Sequence, residues 1–129
     1  MRPTTETEIR AVLALDGPTR AGHLIKRVAD SAVAWSLWEE SGWALMANDD
    51  GTQVFPLWPS REYAELLRTG DWLRLEARAV PLEELLHELL PKLALRGILI
   101  GIFPTPTGKG VTMTRAELSA LLGEELERY

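Results

Sequence analysis

Tryptophans are the residues of this chain best suited to recognising a partner. All five lie between positions 35 and 72. Trp35 and Trp38 differ in strand parity, so a regular strand directs their indoles to opposite sides. We therefore expect one of the two rings in the core and the other, Trp38, at solvent, where an indole is an effective interface anchor. The candidate interaction residues are Trp38, Trp35, Trp43 and Trp72, while Trp58 is expected in the core.

A basic stripe on one predicted helix is the second candidate site. It consists of Arg20, His23, Lys26 and Arg27. The stripe could hold an anion or an acidic partner, although a solvated helix face is the commoner meaning of this pattern. Lys and Arg total 14 against 19 Asp and Glu, for a net charge of −5, and we therefore predict no nucleic-acid binding.

Patterns for catalysis and cofactor binding are missing from the sequence. The chain contains no cysteine, which excludes disulfides, thiolate zinc sites and thiol nucleophiles. Gly108-Lys109 is followed by Gly110 rather than by the Ser or Thr of a phosphate-binding loop. His23 and His87 share no metal-ligand spacing. We expect a protein without a catalytic residue, a cofactor or a metal site.

One carboxylate, that of Glu125, falls inside the apolar stripe of the last predicted helix. Burying a carboxylate is costly unless it is paired. Either the helix frays after Gly123, or a buried partner such as an arginine compensates the charge. The rest of the stripe consists of Leu118, Leu121, Leu122 and Tyr129.

Capping residues and apolar periodicity predict the helices that position these side chains. Thr5-x-x-Glu8 and Thr114-x-x-Glu117 are capping boxes at the starts of the first and last helices. Gly17 and Pro18 separate the first helix from the second. The strongest apolar stripe runs from Leu82 to Leu90, and Pro91 should end or kink that helix.

Strand signals alternate with these helices. The predicted strands are Trp35–Glu39, Trp43–Ala47, Thr52–Pro56, Trp72–Ala79, Gly97–Phe103 and Gly110–Met113. The first three form a meander in this interpretation. The fold class is α+β (mixed α/β), with a largely antiparallel sheet of about five strands packed with about five helices. Residues 1–129 form a single domain, in which 1–17 hold the N-terminal helix and 18–129 the remaining elements.

Three segments together resemble a known bacterial family. Trp35-Ser36-Leu37-Trp38, Gly42-Trp43-Ala44-Leu45 and Pro56–Ala64 are similar to domain of unknown function 2750. Trp72, the Leu82–Pro91 helix and Gly97 continue the likeness, which covers the chain from about Thr19 to the C-terminus. The resemblance implies a small bacterial cytoplasmic domain of mixed α and β structure. It implies no activity or ligand, so no site residue is carried over.

The missing catalytic patterns and the surplus of aromatic residues predict a non-catalytic protein-interaction module with an unknown protein partner. The alternative is a small-ligand or anion-binding domain with a Trp-lined cleft. We expect a cytoplasmic protein without membrane contact, because the longest apolar run, Gly97–Phe103, is far shorter than the ~20 residues of a membrane helix. An acidic chain with exposed aromatics could also form a homodimer.

Overall fold

Helices and strands alternate along the chain in the computed structural model, which describes residues 4–108 and 110–128. The helices are α1 (Glu6–Leu13), α2 (Gly17–Ser31), α3 (Arg61–Glu65), α4 and α5 (Arg115–Leu126). Helix α4 runs without a break through Leu82–Glu84, a π turn at Leu85–Leu89 and Leu90–Leu95. The strands are β1 (Val33–Glu39), β2 (Gly42–Trp43), β3 (Met46–Ala47), β4 (Gln53–Leu57), β5 (Glu76–Pro81), β6 (Leu99–Ile102) and β7 (Val111–Met113).

The predicted capping residues do begin the first and last helices. The Thr5 hydroxyl accepts a hydrogen bond from the Glu8 N–H at 3.1 Å. At α5, Thr114 accepts from the Glu117 N–H at 3.1 Å, and the Glu117 carboxylate accepts from the Thr114 N–H at 3.0 Å. These bonds satisfy backbone donors that have no partner inside the helix. Residues 1–3 of the predicted N-terminal helix lie outside the described part of the chain.

Pro91 does not end α4, which continues to Leu95. The π turn at Leu85–Leu89 lies directly before the proline. A proline has no N–H to donate and its ring crowds the preceding turn, so a wider turn at this point lets the helix pass through it.

The strands form two hydrogen-bonded groups, ordered β2-β1-β5 and β3-β4-β6-β7. A reciprocal pair of backbone bonds between Trp35 and Trp58, both 2.9 Å, joins β1 to the end of β4. Strands β4 and β6 are parallel, and the other strand pairs are antiparallel. The predicted class, a mixed α+β domain with largely antiparallel pairing, is confirmed.

Two predicted strands are wrong in detail. The single strand Trp43–Ala47 is divided, because β2 pairs with β1 whereas β3 pairs with β4. The strand predicted from Trp72 begins only at Glu76. The residues before it form turns, and the Arg68 guanidinium donates to backbone carbonyls of this segment, which holds it out of the ladder.

The core lies where the two groups of strands meet. Trp58 is fully buried, as predicted, and its indole N–H donates to the Pro104 carbonyl at 2.8 Å. Phe103, also fully buried, packs edge-on against Tyr63 and has a left-handed φ of 57°. Leu121 of α5, which was predicted in the core, is 37% exposed because it faces a groove rather than the sheet.

Candidate functional site

The structure separates the five tryptophans into core and surface residues. Trp58 and Trp35 belong to the core, and Trp35 is 7% exposed. Trp43 and Trp72 are partly buried and pack against the core. Trp38 is half-buried and belongs neither to the core nor to the residues packed against it. Because Trp35 and Trp38 sit at opposite parities of β1, one ring enters the core and the other reaches the surface.

Two neighbours fix the indole of Trp38. The Arg78 guanidinium lies 4.2 Å from the ring centroid, within cation–π range. The Trp43 ring meets the Trp38 indole edge-on, with centroids 4.9 Å apart, and packs in the same way on buried Phe55 at 5.7 Å. The partly exposed indole is therefore connected to the core through a chain of aromatic contacts. A side chain already held in place loses little conformational entropy when a partner binds.

Ion pairs surround this indole. Arg74 donates to Glu39 at 2.9 Å, and Arg78 lies 3.4 Å from Glu76. Hydrogen bonds from Ser41 and then from Arg74 lower the pKa of Glu39, so its carboxylate stays charged at neutral pH. These residues form a concave surface whose volume is about 630 Å³, and we call it the Trp38 surface. It is lined by Trp38, Glu39, Glu40, Ser41, Arg74, Glu76 and Arg78. Each of its arginines is paired with a glutamate, so the surface carries no excess of positive charge.

The basic residues of α2 do not form one open face. Arg20 is buried, and its guanidinium donates to a backbone carbonyl of the preceding loop. Arg27 forms a 2.9 Å ion pair with Glu8, and both side chains are mostly buried. His23 is half-buried and Lys26 is exposed. The expectation of a continuous basic stripe is wrong, because burial depends on the loop and on α1, which helix periodicity does not describe.

Two buried titratable groups keep their neutral forms. Burial, and to a lesser extent nearby Arg27, lowers the pKa of His23. Burial raises the pKa of Tyr63 to about 12, and its hydroxyl has no hydrogen-bond partner in the described structure. At neutral pH both side chains are uncharged, and both pack against Phe103. Tyr63 is a core residue, and the half-buried His23 packs beside Phe103.

A second concave surface, which the sequence analysis missed, lies between α2, β7 and α5. We call it the α2–α5 groove; its volume is about 410 Å³. Its walls are mainly apolar, and charged side chains stand at its rim. The lining consists of Pro18, Ala21, Gly22, Ile25, Lys26, Val111, Met113, Leu121, Glu124, Glu125 and Arg128. No tryptophan takes part, so this groove is not the Trp-lined cleft of the ligand-binding alternative.

Glu125 lines the groove and pairs with an arginine, Arg128, but this partner is mostly exposed and is not the buried arginine that we expected as one alternative. The Glu125 side chain is 12% exposed and accepts a hydrogen bond from Arg128 at 3.0 Å. Helix α5 continues past Gly123 to Leu126, so fraying is not the explanation. Tyr129, the last member of the predicted stripe, lies outside the described residues.

Residues 4–108 and 110–128 contain neither a candidate metal site nor a candidate membrane-spanning helix. Among these residues, no group of three or more His, Asp or Glu side chains is arranged to hold a metal ion. None of the helices described has the length and the apolar character needed to cross a membrane.

Comparison with known proteins gives one match. A family model described as "Protein of unknown function (DUF2750)" matches residues 21–122. The matched region contains the whole Trp38 surface, whereas four groove residues, Pro18, Glu124, Glu125 and Arg128, lie outside it. No curated protein and no solved structure matches the chain.

Proposed function

The chain belongs to the DUF2750 family of proteins of unknown function, and we propose its function from its own surfaces. We infer that it is a non-catalytic module that binds another protein through the Trp38 surface. The observation that carries this proposal is the position of Trp38. The indole is outside the core, partly open to solvent and fixed by Arg78 and Trp43. Tryptophan and arginine are the residue types that most often dominate the energy of an interface.

The charges around Trp38 indicate the chemistry of the partner. An apolar side chain of the partner would cover the indole, and the surrounding Glu and Arg side chains would meet polar groups of both signs. Arg78 supports this arrangement, since its aliphatic stem and planar guanidinium extend the apolar area beside the ring. The expected setting, a bacterial cytoplasm, is part of the proposal and rests on the family resemblance.

Affinity capture from the native cell followed by mass spectrometry tests the proposal. The wild-type chain, Trp38→Ala and Leu95→Ala are used as baits; Leu95 is 89% exposed and lies at the end of α4, so it controls for removing an exposed apolar side chain. A partner lost only with Trp38→Ala is then purified for titration calorimetry. Loss of an interface anchor costs at least about 2 kcal/mol, or roughly 30-fold in affinity.

The same calorimetry can overturn the proposal. A Trp38→Ala variant that stays folded by circular dichroism and binds the partner with wild-type affinity excludes the Trp38 surface as the site. Arg78→Ala is the second variant, because it leaves the indole in place while it removes the cation over the ring, the arginine stem and the ion pair with Glu76. It should weaken binding in the same direction and by a smaller factor.

A second candidate function, binding of a small apolar ligand, is favoured by the α2–α5 groove. Apolar concave sites of a few hundred Å³ are typical of small-molecule pockets. Gly22 lines this groove, and a Cβ added there meets no atom within 4 Å. The Cβ of Gly22→Leu therefore fits, and we expect the rest of the leucine side chain to extend into the groove. Gly123→Leu is the matched control, since Gly123 is also helical and open but does not line the groove.

The probe for this test is the dye ANS, which binds to exposed apolar surface. We expect its fluorescence to rise with the wild-type chain and with Gly123→Leu, and to rise much less with Gly22→Leu. Equal signals from the two leucine variants would exclude ligand binding in the groove.

A further inference from the structure

Among the residues that the structure describes, no strand lies beside the outer edge of β5. β5 is the last strand in the order β2-β1-β5, and of its six residues only Val80 is buried. The strand at the opposite end of the fold, β7, is also an edge strand but is three residues long. Short edges are protected against pairing with other chains, whereas long exposed edges are templates for it.

The backbone groups available at this edge follow from the register of β5 with β1. Leu82 donates its N–H to the Ala32 carbonyl at 2.9 Å, which sets the alternation of the antiparallel ladder. The even-numbered residues of β5 exchange hydrogen bonds with β1. The N–H and C=O groups of Ala77 and Ala79 point to the outer edge instead.

We propose that β5 pairs with β5 of a second copy of this chain, antiparallel about a twofold axis at Ala77. This register places Glu76 opposite Arg78 of the partner subunit, and the reverse pair follows by symmetry. Both are non-hydrogen-bonded pairs, in which side chains approach most closely. Opposite charges in directly facing positions stabilise a pair of strands.

Twofold axes at Arg78 and at Ala79 give longer overlaps of β5, but their charge pairs are less favourable. An axis at Arg78 places this residue opposite Arg78 of the partner subunit, and like charges in facing positions are destabilising. An axis at Ala79 places Arg78 opposite Val80 of the partner subunit, which cannot compensate its charge. Of these three registers, the charge pattern of β5 therefore favours the one with its axis at Ala77.

The pairing goes beyond the proposed function, and its test does not depend on a partner for Trp38. Glu76 lies opposite Trp38 in the register of β5 with β1, so the two side chains share one face of the sheet. The joined sheet would carry two Trp38 surfaces on that face. Because only residues 76–78 of β5 face each other in this register, the contact is short, and we expect a weak dimer that forms reversibly with concentration.

Sedimentation equilibrium of the full chain, at concentrations up to about 1 mM to reach weak interfaces, tests the proposal. The variants are Glu76→Arg, Arg78→Glu and the double variant that carries both changes. Each single variant places like charges opposite each other in the homodimer and should dimerise at least tenfold more weakly than the wild type. The double variant exchanges the two charges and should dimerise like the wild type.

The equimolar mixture of the two single variants gives the decisive measurement. In a heterodimer of Glu76→Arg with Arg78→Glu, each facing pair regains opposite charges. The mixture should therefore dimerise more strongly than either variant does alone. A monomeric wild type over the whole concentration range overturns the proposal. So do single variants that dimerise like the wild type, or a mixture that stays monomeric.

Discussion

The Trp38 surface and the α2–α5 groove are both concave, with volumes of about 630 and 410 Å³, but opposite chemistry forms them. The Trp38 surface lies on strands, and ion pairs and ring contacts tie its side chains to one another. The groove lies between helices and a short strand, and its floor is apolar. A surface of fixed aromatic and charged groups suits a protein partner, whereas an open apolar groove suits a small ligand.

The largest expected effect concerns the tryptophan on which both regions depend. Trp58 joins the two groups of strands through its backbone, is fully buried and fills the core with its ring. We expect Trp58→Ala to lower the free energy of unfolding by about 3–5 kcal/mol, as large aromatic deletions do. Urea denaturation measures the loss.

Trp38→Ala is the matched control for this measurement, since it removes the same side chain from the surface. We expect it to cost less than about 1 kcal/mol, because most of the buried area stays in place. The comparison fails if the two variants lose similar stability, or if Trp58→Ala loses less than about 1 kcal/mol.

Local rules predicted those features that depend on neighbours in sequence. The separation of Trp35 from Trp38 follows from the two-residue period of a strand, and the start of α5 follows from the Thr114 capping box. The burial of Arg20 could not be predicted in this way, because its partner is a backbone carbonyl in a loop.

Features formed by distant segments were also out of reach. The division between β2 and β3 is decided by which strands they pair with, and both partners lie outside the local pattern. The groove unites residues from opposite ends of the chain, Pro18 and Leu121 among them. A local signal that could have pointed to it is a glycine, Gly22, in the middle of α2.

The next prediction concerns the floor of the groove. Gly22 is a mid-helix glycine with open space above it, and Gly there is less stable than Ala. We expect Gly22→Ala to raise the free energy of unfolding by about 0.5–1 kcal/mol, and Gly123→Ala to do the same in α5. Thermal denaturation checks both. A loss of stability at Gly22 alone would mean that the groove closes onto the helix in solution.

A smaller expected effect is the pH dependence of stability, to which His23 on α2 should contribute. His23, beside Phe103, has a pKa below its ordinary value of 6.5, mainly because of burial. The unfolded chain therefore takes up a proton at a higher pH than the folded one. The contribution of His23 to the free energy of unfolding is fully present above pH 6.5. It is lost as the pH falls from there towards the pKa of His23 in the folded chain.

Urea denaturation at about pH 7.5 and about pH 5.5 measures this dependence. We expect His23→Gln to lose less stability between the two pH values than the wild type does. His87→Gln is the control for replacing a histidine, because His87 lies on an exposed helix face. Equal pH dependence in all three proteins would remove His23 as the cause.

The smallest expected effect is none: neither region should bind nucleic acid. Non-specific binding requires several cations that are free to neutralise phosphates. On the Trp38 surface both arginines are paired with glutamates, and on α2 Arg20 is buried, Arg27 pairs with Glu8, and Lys26 is exposed. The net charge of −5 adds a general repulsion.

Electrophoretic shifts with mixed-sequence DNA and RNA at about 150 mM salt should show no complex, since screening there acts over about 8 Å. Submicromolar binding under these conditions would show that the ion pairs open readily, and the Trp38 surface would then have to be reconsidered as a site for polyanions.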